Sequence, residues 1–199
     1  MNMRRIFGYT VILLALTAPS VRADDVCLGD EEEKSAKAQA AALRKAEQSG
    51  APAALFVAYR SILGNDCIDR YEKNALATAK ANLPKLGRDL AKAAEAKGKL
   101  FSSEPVRADG QTSAFRYFET IDDYTDANRV LLKAAQVTPE DLALFKTAWN
   151  VDQGRSGPRD PKTGEQTPYV SQPAYRQELT KIASMNADRL MKAEEKDAQ

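Results

Sequence analysis

Four acids lie close together in the middle of the chain: Glu119, Asp122, Asp123 and Asp126. Two carboxyl groups held at a fixed separation can hydrolyse a glycosidic bond, one giving a proton while the other acts as base or nucleophile. This cluster is therefore the first candidate for chemistry, and nothing else in the sequence reinforces it. The chain contains no histidine, so the commonest general base and metal ligand is missing. A G-x-S-x-G nucleophile elbow, an S-x-x-K pair, a phosphate-cradling glycine loop and a D-x-D-x-D-G calcium loop are all absent. The sequence implies no catalytic residue, no cofactor and no metal.

The surroundings of the acids give them another use. Ala114, Tyr117, Phe118 and Ile121 recur at helical spacing, and so do Tyr124, Ala127, Leu131 and Ala134. Ile121-Asp122-Asp123 falls between the two stripes. Two amphipathic helices joined by so short a break must run antiparallel for their apolar faces to meet. Asp122 and Asp126 then stand near the positive end of the second helix's dipole, where a carboxylate is stabilising. On this reading the acids support a helix start.

Two cysteines, Cys27 and Cys67, are the other reactive groups. They form no C-x-x-C, and without histidine they lack partners for a metal site. A structural disulfide is the expectation if the chain is exported, and the N-terminus reads as an export signal. Met1 to Arg5 is basic, Ile6 to Ala18 is mostly apolar, and Val21-Arg22-Ala23 resembles a signal-peptidase site. The apolar run is shorter than the roughly 20 residues that span a bilayer. We expect residues 1–23 to be a cleavable signal peptide, with no stable membrane insertion afterwards. Residues 24–199 would be a single periplasmic or secreted domain of bacterial export.

The whole chain has 29 basic and 28 acidic residues, a net charge of +1; losing Arg4, Arg5 and Arg22 with the leader turns this to −2. Such a balance gives no reason to expect nucleic acid or an anionic membrane as partner.

The elements that must position these groups read as all-α, because alanine, leucine, lysine and glutamate dominate and strand-like alternation is absent. Glu31 to Gln48 is an alanine-rich helix ended by Ser49-Gly50. Pro52 opens a second, carrying Leu55, Ala58, Tyr59, Ile62 and Leu63. Ile68, Tyr71, Ala75 and Ala79 mark a third, and Leu86, Leu90, Ala93 and Ala94 a fourth. Pro84 lies between these two, which are either separate helices or one kinked helix. Ser102 to Thr112 is a loop. After the hairpin, Thr138-Pro139-Glu140-Asp141 looks like a capped helix start, with Leu142, Phe145, Ala148 and Trp149 as the apolar stripe that follows. Residues 152–173 hold three glycines and four prolines and read as a flexible flap or linker, in which Tyr169 and Val170 could dock. Tyr175, Leu179, Ile182 and Leu190 place one face on a last long helix.

The stretch near 108–141 resembles a tetratricopeptide repeat, a unit of two helices with a period of about 34 residues. The matching residues are Phe118, the Asp123-Tyr124 turn, Ala127, Leu131, Ala134 and Pro139; Gln111, Ala114 and Phe115 depart from the family's first-helix pattern. A fainter echo lies near 35–63, with Ala54 and Ala58 as small residues. The resemblance implies antiparallel helical hairpins stacked as a short solenoid. Arg116 and Glu119 would then lie on its concave face as candidate contacts for a protein or peptide partner in the cell envelope. An irregular helical bundle satisfies the same pattern. The expected function is partner binding as a scaffold or adaptor. The alternatives are a cell-wall-active enzyme or accessory using carboxylates, and a helical bundle that binds a small ligand.

Overall fold

The computed structural model describes residues 27–152 and 173–197. The expected signal peptide, and the flap with Tyr169 and Val170, lie outside the described residues. Among these residues the architecture is entirely helical, with eight helices and no strand. They are α1 (Asp30–Ser49), α2 (Pro52–Leu63), α3 (Ile68–Tyr71), α4 (Lys73–Ala96), α5 (Ala114–Thr120), α6 (Tyr124–Val137), α7 (Leu142–Asp152) and α8 (Pro173–Asp197). No helix among the described residues is long and apolar enough to cross a membrane.

Each boundary has a local cause. The first turn of α1 carries Asp30, Glu31, Glu32 and Glu33 at the positive end of the dipole, and Gly50 ends the helix in a left-handed conformation (φ 64°). Pro52 starts α2, where its missing N–H is no loss. At Glu72 the backbone leaves helical geometry (φ −139°, ψ 55°), separating the single turn of α3 from α4. Helix α4 then runs unbroken through Pro84 for 24 residues. It buries Ala79, Leu83, Gly87, Ala91 and Ala94 along one face.

The helices pack largely in chain order. Helix α2 lies against α1 and α4, α5 against α4 and α6, and α8 against both α6 and α7. Phe56 of α2 meets Tyr117 of α5 edge to face at 5.2 Å, and Phe118, Val130 and Leu131 are fully buried beside them. Gly87 lets these elements close. A Cβ there would sit 2.5 Å from Ile121 Cγ2 and 2.9 Å from Phe56 Cε2. Cys27 and Cys67 are joined in a disulfide with 5.3 Å between Cα atoms, tying the chain before α1 to the turn after α2. Tyr71 adds a hydrogen bond from its hydroxyl to the Cys27 carbonyl.

Two expectations change in the region after the hairpin. Thr138 does not cap the start of α7; it ends α6, with its N–H and its hydroxyl both donating back to the Ala134 carbonyl. Asp141 accepts from the Leu144 N–H at 2.9 Å, and α7 starts at Leu142. The buried stripe of α7 is Leu144, Ala148 and Val151, while Leu142 is 55% and Trp149 39% exposed. Two stripes of helical spacing overlap in this segment, and the one that faces α6 and α8 is not the one with the tryptophan.

Candidate functional site

The hairpin turn is built by its acids. Helix α5 starts on Ser113, whose hydroxyl accepts from the Arg116 N–H, and ends in a left-handed residue. That residue is Asp122 (φ 57°), a position usually taken by glycine. The Asp122 N–H reaches the Glu119 carbonyl, and the Asp123 N–H reaches the Phe118 carbonyl. The pair closes the end of α5 in the Schellman pattern. Asp123 then caps α6 by accepting from the Asp126 N–H and takes an ion pair from Arg88 at 3.0 Å.

Every acid of the cluster has its own partner. Glu119 binds Arg116 at 2.6 Å, Asp122 accepts from the Tyr124 hydroxyl, and Asp126 binds Arg129 at 2.7 Å. Burial first, and then the bond to Asp122, push the Tyr124 hydroxyl well above its ordinary value. Arg129 also reaches back to Glu95 of α4 through its two terminal nitrogens, at 2.9 and 2.8 Å, and Lys133 adds a third bond. Hydrogen bonds from Arg129 and then Lys133 hold the Glu95 carboxyl down at about 2. Among the described residues, no group of three histidine, cysteine or acidic side chains could hold a metal ion.

The two candidate contacts part company. Arg116 turns toward the α4–α5 loop, donating to the Ser102 carbonyl at 3.1 Å and the Ser103 carbonyl at 2.8 Å. It pins that loop as well as pairing with Glu119. Glu119 lies on the wall of an open groove of about 600 Å³, between the C-terminal end of α2, the middle of α4 and the hairpin turn. Leu63, Leu83, Pro84 and Ile121 supply its apolar lining, and Arg60, Lys80, Glu119 and Asp122 its charges. Arg60 and Lys80 are exposed, and among the described residues neither has a side-chain partner. The sequence pointed to neither. The available signals were an arginine inside the apolar run Leu55–Leu63 and a proline inside a helix.

A smaller cleft of about 310 Å³ lies at the opposite end of the same helices, between the start of α2, the end of α4 and the loop at Ala108–Gly110. Tyr117 lines it with Leu90, Lys97 and Lys99. Lys99 is engaged with Gln111, and Asp109 with Arg107 and the Gln111 N–H. Burial raises the Tyr117 hydroxyl above its ordinary value, opposed by the neighbouring Thr112.

No protein-family model, no curated protein and no solved structure matches this chain.

Proposed function

We propose that this protein is exported and binds a segment of another protein in the groove between α2, α4 and the hairpin turn. It would act as a helical scaffold in the periplasm or outside the cell. The observation that carries this reading is the groove itself: an open, apolar-floored trough whose acids are already held by structural partners. An apolar surface rimmed by polar groups is what a docked chain covers. Chemistry by paired carboxylates needs acids free to exchange protons with a substrate, and Glu119 and Asp122 are each bound by a neighbour. The hairpin α5–α6, with α8 packed against both α6 and α7, supports the repeat-like stack that the sequence resembles. The basic and apolar leader and the Cys27–Cys67 disulfide support export, since disulfides persist in oxidising compartments.

A photo-crosslinking side chain at position 63, expressed in cells and activated in place, tests the reading. A discrete adduct should form there and not at position 45, an exposed site on α1. Equal labelling at both positions, or none at 63, overturns it.

A further inference from the structure

We infer that the segment taken up by the groove is an extended peptide carrying an aspartate or glutamate next to large apolar residues. This rests on the groove being the binding site and specifies what it selects.

The charge around the groove is unbalanced in a usable way. Four charged side chains line it, two of each sign. Glu119 and Asp122 are neutralised or hydrogen-bonded by Arg116 and Tyr124 from within the fold. Arg60 and Lys80 have no such partner among the described residues. With Glu119 paired to Arg116, the lining keeps two unpaired cations against one anion, Asp122, whose charge the neutral Tyr124 hydroxyl does not cancel. An incoming chain meets a net positive charge, and a carboxylate is the group that answers Arg60 and Lys80. Arginine can grip a carboxylate through two parallel N–H bonds, while lysine adds a mobile point charge.

The backbone of α4 adds a second feature. Pro84 has no N–H to give to the carbonyl of Lys80 four residues earlier, and both residues line the groove. One backbone bond of α4 is therefore missing in the stretch of helix that lines the groove. Leu63, Leu83 and Ile121 accept apolar side chains on either side of the carboxylate. The groove is open rather than closed, so the acid sits inside a continuous chain and need not be a chain terminus.

The test is a selection from a displayed library in which a randomised block of about a dozen residues, long enough to cross the groove extended, is flanked on both sides by constant sequence. The bait is the oxidised mature protein, with Arg60→Glu/Lys80→Glu and Leu63→Asp variants in parallel. Matching thermal melts establish that the variants fold. Wild type should enrich Asp or Glu beside Leu, Ile or Phe. Binding of a selected peptide should weaken at least about tenfold in the charge-reversed variant, weaken with added salt, and be lost in Leu63→Asp. The charge-reversed bait should itself enrich lysine and arginine. Apolar enrichment without acids, lost in Leu63→Asp but unchanged by charge reversal, overturns this inference and leaves groove binding standing. Failure of the wild type to enrich any sequence overturns both.

Discussion

Replacing Gly87 by alanine probes the contact that seats the hairpin turn on α4. In an exposed helix interior this change stabilises by about 1 kcal/mol, because glycine is the poorer helix former. At this position the new methyl would lie 2.5 Å from Ile121 Cγ2 and 2.9 Å from Phe56 Cε2, against a comfortable carbon–carbon distance of about 3.5–4.0 Å. One of the neighbours must retreat by roughly an ångström. Phe56 is wholly buried and locked edge to face on Tyr117. Ile121 is half-buried and can move, but only by shifting the groove lining it forms. Overpacking of this kind costs about 1–3 kcal/mol, so the clash wins over the propensity gain. The net loss is up to about 2 kcal/mol, a fall of up to roughly 8 °C in Tm for a chain of this size. Urea unfolding of the oxidised protein measures it. Adding Ile121→Ala removes the closest atoms, and the double-mutant cycle should show a coupling of about 1 kcal/mol in the relieving direction. A Gly87→Ala protein as stable as wild type, or more stable, with no coupling to position 121, would refute the packing of the turn on α4.

Three other outcomes follow from the geometry. Replacing Cys27 and Cys67 by serine should lower stability by about 4 kcal/mol in the chain-entropy model for a bridge spanning 40 residues. Native mass analysis should find the wild type two hydrogens lighter than its reduced form, and freely reacting thiols would contradict the bridge. Glu95 is held at about 2, below its free value of 4.5; its pairing therefore stabilises the fold fully above the free value and is lost as pH falls toward 2. Glu95→Gln should remove about 1 kcal/mol of that acid-side slope, since Arg129 and Lys133 stay about half in water; an unchanged slope would show that the network contributes nothing. Asp123→Ala should cost about 1 kcal/mol through the lost cap, whereas Asp122→Gly should be neutral or stabilise by up to about 1 kcal/mol, because glycine takes the left-handed position freely. A large loss on Asp122→Gly at unchanged stability of Asp123→Ala would argue against helix-end roles for both.

What the sequence made legible was whatever a single helix decides for itself. The break at Ile121–Asp123 could be placed because two stripes with a period near 3.6 stop and restart there, and because an acid suits the start of α6. The Schellman closure was hidden because aspartate stands where glycine would have announced it. Pro84 left the segment open between two helices and one continuous helix, and the structure takes the second. Locally the proline removes a bond and costs about 3 kcal/mol, yet α4 continues because burial of Leu83, Gly87, Ala91 and Ala94 against its neighbours outweighs that loss. On α7 the expected stripe was right at Ala148 and Phe145 and wrong at Leu142 and Trp149, since the packing of α6 and α8, and not side-chain size, selects which face is covered.

The groove was illegible for a related reason. Residues 60, 80 and 121 mean nothing together until α2, α4 and the hairpin turn are brought side by side. Each nevertheless carries a local irregularity. Arg60 is a cation in an apolar run, Lys80 stands four residues before a proline that has no N–H to return, and the turn at Ile121 is followed by a non-glycine residue at positive φ. Stability alone gives no reason to gather three such departures around one open trough, since each could be repaired by a single substitution. The proposed bound chain would give one: its carboxylate would answer the cations and its apolar side chains would cover the floor. Departures from local consistency that converge in space are where function most often resides, and here they converge on the groove, whose lining takes in Glu119 and Asp122 of the acidic cluster.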